Sequence, residues 1–187
     1  AAYARLLKNY TWDIIARQYD DEYVKFRSSM EDIDKKQQDK LAGKGKRSIL
    51  GTLLLPMAWF FPHRKGRAYF HKIRGVKIGK NVEIGYFCII GNVHPAEITI
   101  EDGAVVTARS TILEHDNAMY YTGRGVVKSG PVCIKKGAFL GIGTIVMPGV
   151  TIGEKSVIAP YSFVNKDIPS NVLAGGQPAK VIKRYTD

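Results

Sequence analysis

Six aliphatic residues stand at an unbroken interval of six toward the C-terminus: Ile134, Leu140, Val146, Ile152, Ile158 and Val164. An α-helix repeats its buried stripe about every 3.6 residues and a half-buried strand every two, so neither accounts for this period. Period-six repetition predicts a parallel β-helix, in which each hexapeptide forms one flat face of a triangular coil and its aliphatic residue points inward. The same interval recurs upstream in two sets, Ile78, Ile84, Ile90 and then Ile100, Val106, Ile112. Ile90 and Ile100 are ten apart, which leaves four extra residues, around 92–95, as a bulge. Ile112 and Ile134 are twenty-two apart, so sixteen residues, around 116–131, are expected to leave the solenoid as a loop. Loops inserted into a solenoid project from its surface and commonly carry the binding site. Twelve inward positions shared by three faces predict about four coils, a prism about 20 Å tall at roughly 4.8 Å per coil.

Four residues after the inward aliphatics come Val82, Cys88, Ala104, Ser110, Ala138, Thr144, Val150, Ser156 and Ser162. All are small, as a tight corner between flat faces requires. Gly79, Gly85, Gly91, Gly141 and Gly153 directly follow an inward residue, where either a close backbone approach or an unusual dihedral is expected.

Ahead of the repeats the period changes. Leu7, Tyr10 and Ile14, then Tyr19, Tyr23, Phe26, Met30 and Ile33, recur at spacings of three and four, which predicts amphipathic helix over 1–47. Gly43, Lys44, Gly45 and Lys46 close that region as a flexible, basic linker. An apolar run over 49–61 precedes Pro62, His63, Arg64, Lys65, Gly66 and Arg67. The run is too short to span a bilayer and contains Pro56. It suits an interfacial helix on anionic lipid, with peripheral membrane contact through 48–75, or a helix packed on the first coil or another subunit. The domain reading is therefore an N-terminal helical region, 1–75, followed by a β-helix domain, 76–187.

Composition narrows the partners. The net charge of +11 favours anionic ones, phosphorylated cofactors and membrane surfaces before nucleic acid, since the basic residues are dispersed and no nucleic-acid module occurs. Cys88 and Cys133 lack CxxC spacing, which fits reduced thiols packed in a cytoplasmic protein. The visible start, an Ala, does not read as a signal peptide.

Four stretches carry a family resemblance: Gly75-Val76-Lys77-Ile78-Gly79-Lys80-Asn81-Val82 at the entry, Glu114-His115-Asp116 before the loop, Gly137-Ala138-Phe139-Leu140-Gly141 after it, and Gly176-Gln177-Pro178-Ala179-Lys180-Val181-Ile182 at the exit. In this order the chain resembles the hexapeptide-repeat acyltransferases, in particular the O-acetyltransferases of sugars and bacterial polysaccharides. The resemblance implies an all-β solenoid, a left-handed parallel β-helix, normally a homotrimer, with acetyl-CoA as co-substrate in a cleft between two subunits. It makes His115 the catalytic base that takes the proton of an acceptor hydroxyl. Glu114, Asp116 or a backbone carbonyl would orient its ring. It matches Asn92 to an acceptor-contacting Asn, and it makes backbone groups of Gly141 and Ala159, one full coil apart, partners of the pantetheine amides, with Thr144 contributing. A backbone N–H near Gly141 would hold the oxyanion. Lys180, Lys183 and Arg184 would meet the CoA phosphates. Phe139 stands where many relatives carry Trp.

Other candidates come from the residues themselves. Tyr120 and Tyr121, in the loop with Asp116, suit stacking on a sugar acceptor. His94, in the four-residue bulge, suits acceptor binding or a turn cap. No GxSxG elbow or adjacent Cys–His pair suggests an acyl-enzyme, so direct transfer is expected, with no metal. A carbonic anhydrase of similar fold needs three His ligands, and only His94 and His115 lie in the repeats. A non-catalytic trimeric scaffold is the remaining alternative.

Overall fold

The computed structural model describes residues 53–186, so the helical region read over 1–47 and its linker lie outside the described residues. Within 53–186 the chain forms two short helices, then a parallel β-helix, then an antiparallel return strand.

The β-helix has three parallel sheets, one per face of the prism. Its register is the hexapeptide register. Ile78, Ile100, Ile134 and Ile152 stack on the first face. Ile84, Val106, Leu140, Ile158 and Ala174 stack on the second. Ile90, Ile112, Val146 and Val164 stack on the third. All twelve predicted inward residues are buried. Each such side chain contributes on the order of 2 kcal/mol by leaving water. The nine small residues predicted at the corners are buried with them, because a larger side chain there would collide with the ladder next to it. Beyond the four predicted coils a partial turn adds Ile168 beside Ile152 and Ala174 beside Ile158.

For four of the five glycines that follow inward residues, close approach is the reason. A Cβ at Gly141 would lie 2.5 Å from the Pro160 nitrogen, and at Gly79 2.7 Å from the Asp102 nitrogen. Left-handed dihedrals instead occupy the third place after most inward residues, where glycine alternates with Asn81, Phe87, Arg109, Lys155, Tyr161 and Asn171. That place turns the corner, and non-glycine residues are held there by the stacked coils despite a local cost of roughly 1–2 kcal/mol each.

The faces differ outside. The outward residues of the first are polar or small: Lys77, Thr99, Cys133 and Thr151. Those of the second include Val105, Phe139, Val157 and Leu173, and those of the third Ile89, Ile145 and Phe163, with Phe139, Ile89 and Ile145 exposed.

Helix α1 (Leu55–Phe60) has Pro at its first turn and stops where Phe61, ahead of Pro62, turns extended. Helix α2 (Arg64–Ile73) then packs on the first coil. Its buried face holds Ala68 and a polar stripe, Arg67 and His71 on α2 and Arg74 at its C-cap, at helical spacing. The first coil forms the edge of all three sheets, so the strand carbonyls on its outer side lack strand partners. Arg67 Nε donates to Ile84 O at 2.8 Å and Arg74 to Ile90 O at 3.4 Å, which caps that edge.

Candidate active site

Both register breaks follow a third-face strand, the bulge after Ile89–Ile90 and the loop after Thr111–Ile112. Since Ile90 stacks on Ile112, the two insertions leave from one corner of the prism, one coil apart. This brings together two histidines that are 21 residues apart in sequence: the rings of His94 and His115 are edge to face with centroids 6.5 Å apart.

The loop is itself folded. His115 and Asp116 pair antiparallel with Ser129 and Lys128, and a single helical turn, α3 (Ala118–Tyr121), sits between those strands. Asp116 Oδ1 accepts the Ala118 N–H at 2.9 Å, so Asp116 caps this turn and leaves orientation of the imidazole to another group. Tyr120 and Tyr121 stand on α3 with ring centroids 5.5 Å apart, Tyr121 being 79% exposed.

Glu114 orients the ring. Its carboxylate is buried, and Oε1 accepts the backbone N–H of Val93 at 3.0 Å and of His94 at 2.8 Å, while lying 3.2 Å from His115 Nδ1. Burial alone would raise the Glu114 pKa, but backbone N–H bonds, led by that of His94, and the facing His115 hold it below the usual carboxylate value. An ionised carboxylate only accepts hydrogen bonds, so Nδ1 carries the proton and Nε2 the lone pair. The His115 side chain is 24% exposed against 1% for Glu114, so the carboxylate lies inside and the imidazole reaches the surface.

Asn92 is exposed beside this pair, and its Oδ1 accepts from Arg74 Nη2 at 3.3 Å. His94 Nδ1 is buried without a hydrogen-bond partner among the described residues. Neither Arg74 nor His71 is among the candidates the sequence offers. The signal that points to them is the spacing of Arg67, His71 and Arg74, a polar stripe on the face a docked helix buries.

The candidate cofactor residues lie elsewhere. Gly141, Thr144 and Ala159 occupy the corner between the second and third faces, one face away from His115. Six residues separate successive corners, a span of at most about 20 Å at roughly 3.3 Å per extended residue. Thr144 lies inside the coil. It is fully buried, its Oγ1 donates to Gly141 O at 2.7 Å, and its N–H and C=O are both bonded within the coils. The backbone of Gly141 and Ala159 is likewise committed: Gly141 N–H donates to Ile158 O and Ala159 N–H to Ala174 O, each at 2.8 Å, and their carbonyls accept from Thr144 and Ser162. Adjacent amides in extended chain point opposite ways, and the next N–H, that of Ile142, makes no hydrogen bond among the described residues. A groove at this corner is lined by Gly143, Tyr161, Asn165, Gln177 and Pro178.

Lys180, Lys183 and Arg184 are exposed on the return strand Ala179–Arg184, which pairs with Val172–Gly176. Lys183 stands opposite Leu173, an outward position, and Arg184 opposite the buried Val172, so the two cations leave the strand on different sides.

Comparison with known proteins gives these features a setting. Residues 134–166 match the family model for the bacterial transferase hexapeptide (six repeats). The galactoside O-acetyltransferase of Escherichia coli (strain K12) is 33% identical over 132 residues, covering 70% of this chain and 62% of that protein. Alignments with other curated relatives span about half of their length. Among solved structures, a galactoside acetyltransferase in complex with coenzyme A superposes with a TM-score of 0.57 at 27% identity, covering 79% of this chain and 83% of that one. A hexapeptide-repeat acetyltransferase of Vibrio cholerae O1 biovar eltor, complexed with acetyl coenzyme A, gives a TM-score of 0.62 over 74% and 86% of the two chains, a likeness of fold at 21% identity. Its three-sheet coil in hexapeptide register and its match to the repeat model thus liken the chain to the hexapeptide-repeat acetyltransferases.

Proposed function

We propose that this protein is an acetyl-CoA-dependent O-acetyltransferase that transfers acetyl directly to a hydroxyl of a sugar or glycan unit. The observation that carries this reading is the His115 imidazole at the surface with its Nδ1 held by the buried Glu114 carboxylate. Nε2 takes the acceptor's hydroxyl proton while the oxygen attacks the thioester carbonyl. The tetrahedral oxyanion is held by a backbone donor, for which Ile142 N–H is the candidate. Collapse breaks the C–S bond, and the imidazolium returns its proton to the leaving thiolate, giving the acetyl ester and free CoA. Glu114 stabilises the imidazolium between these steps. The class of acceptor is supported by the galactoside specificity in the name of the E. coli relative.

The active unit of this reading is a homotrimer. His115 and the Ile142 corner lie on different corners of one prism, so a base and an oxyanion donor meet only if a second subunit supplies one of them. A closed ring needs two different contact surfaces on each chain. The apolar outsides of the second and third faces supply such a pair, and the polar first face would remain in water. Acetyl-CoA would then lie between subunits, with Lys180, Lys183 and Arg184 as candidates for its phosphates.

A membrane-proximal acceptor is a second reading, supported by Leu53, Met57 and Phe60, which are exposed at helical spacing next to the exposed Lys65 and Lys72. The two free thiols suit a reducing, cytoplasmic setting.

The test is thiol release from acetyl-CoA measured over galactosides, glucosides, glycan fragments and small alcohols. Acceptor-dependent turnover that falls about 10²- to 10⁴-fold in His115→Ala is expected. Absence of turnover with every acceptor would favour the scaffold, and turnover indifferent to His115 would remove the base from the mechanism.

A further inference from the structure

We infer that Arg74, outside the repeats, is a positioning residue for His115, acting through Glu114 and the 91–94 turn. The kinetic part of this inference rests on the acetyl-transfer reading above; the geometric part does not.

Arg74 and Glu114 grip the same short piece of chain from two sides. Arg74 Nη2 donates to Gly91 O at 3.4 Å and to Asn92 Oδ1 at 3.3 Å. Glu114 Oε1 receives the N–H groups of the next two residues, Val93 and His94. The turn therefore hangs between a guanidinium and a carboxylate, both buried. A buried guanidinium is costly alone, and the carboxylate offsets that cost: burial lowers the Arg74 pKa while the Glu114 charge raises it. The same carboxylate holds His115 Nδ1.

His71 fixes the guanidinium from behind. Its Nδ1 lies 2.9 Å from Arg74 Nη1, and a guanidinium only donates, so His71 accepts and is neutral. Burial first, and then the Arg74 charge, push its pKa down to about 3. A neutral imidazole here adds an acceptor without adding a second cation. The polar end of α2 thus does more than cap an edge: it reaches into the corner where the two insertions meet.

Edge capping alone is the rival explanation, and Arg67 separates the two. Arg67, seven residues before Arg74, donates to Ile84 O and Phe61 O, and among the described residues it makes no hydrogen bond to Glu114 or the 91–94 turn. The experiment compares Arg74→Met, Arg74→Lys and Arg67→Met in the full chain. It reads kcat and KM for acetyl-CoA, and the imidazole ¹⁵N shifts of His115, which report its tautomer. In Arg74→Met we expect kcat to fall about ten- to a hundredfold with KM for acetyl-CoA within about twofold, and the Nδ1–H form of His115 to give way to a mixture. Arg74→Lys should recover part of kcat, because it keeps the charge and loses the fork. In Arg67→Met both readings should stay those of the parent whatever the melting temperature does. Unchanged kcat and tautomer in Arg74→Met overturn the inference, as does an equal loss in Arg67→Met. If Arg74→Met does not fold, an unchanged tautomer and kcat in Arg74→Lys overturn it. A parent chain without turnover removes the acetyl-transfer reading and leaves the ¹⁵N comparison to decide the role of Arg74.

Discussion

Glu114 Oε1 lies 3.2 Å from His115 Nδ1, a contact between neighbours in the chain whose side chains occupy different media. The carboxylate is inside, tied to two backbone amides, and the imidazole is at the surface. Glu114→Gln keeps the shape and removes the charge, so Nδ1–H loses its strongest acceptor. We expect kcat to fall on the order of a hundredfold, with acetyl-CoA binding little changed, in the same thiol-release assay.

His71 links stability to pH. Its folded pKa of about 3 lies below the ordinary 6.5, so between these values the unfolded chain binds a proton that the folded chain does not. Stability contributed by neutral His71 is complete above about pH 6.5 and is lost as pH falls toward 3, with a slope of about 1.4 kcal/mol per pH unit. Denaturant titrations of the parent and His71→Asn should differ by this slope over that window. Parallel curves would mean that His71 is protonated in the fold.

In the proposed trimer the outward ladders of the second and third faces form the contacts. Phe139 and Ile145 are each 39% exposed in the single chain. Ile145→Glu, on the third face, should convert a trimer into monomers on light scattering, whereas Thr151→Glu, on the polar first face, should not. Loss of activity together with the trimer is expected, because the base and the Ile142 corner would part.

Tyr121 is the most exposed aromatic side chain of the loop. If α3 offers a stacking platform to a sugar, Tyr121→Ala raises KM for the acceptor about tenfold and leaves KM for acetyl-CoA alone. Equal changes in both would assign the tyrosine to the folding of the loop.

For the membrane reading, flotation with anionic liposomes compares the parent with Met57→Glu and Phe60→Glu. Binding by the parent and its loss in both variants is the expected result, weakening as salt rises. No helix among the described residues is long and apolar enough to cross a bilayer.

The coil itself was legible in the sequence. An interval of six names the inward residues, the small corner residues four places on, and both breaks, because closing a triangular coil imposes one steric rule on every turn. The joint location of the breaks was legible too: each follows the third member of a set, Ile90 and Ile112, and equal places in successive sets must share a corner. Which groups at that corner act together was decided only by the tertiary structure. Glu114 and Asp116 flank His115 equally in sequence, and the fold turns one inward to the ring and the other to the Ala118 amide. At the other corner the one-residue alternation of amide direction consumes Gly141 N–H and leaves Ile142 N–H. Arg74 enters from outside the repeat altogether. A period specifies where side chains stack, since stacking recurs locally in each turn, but hydrogen-bond partners are chosen by atoms that come near only once the coils have closed and α2 has docked on their edge.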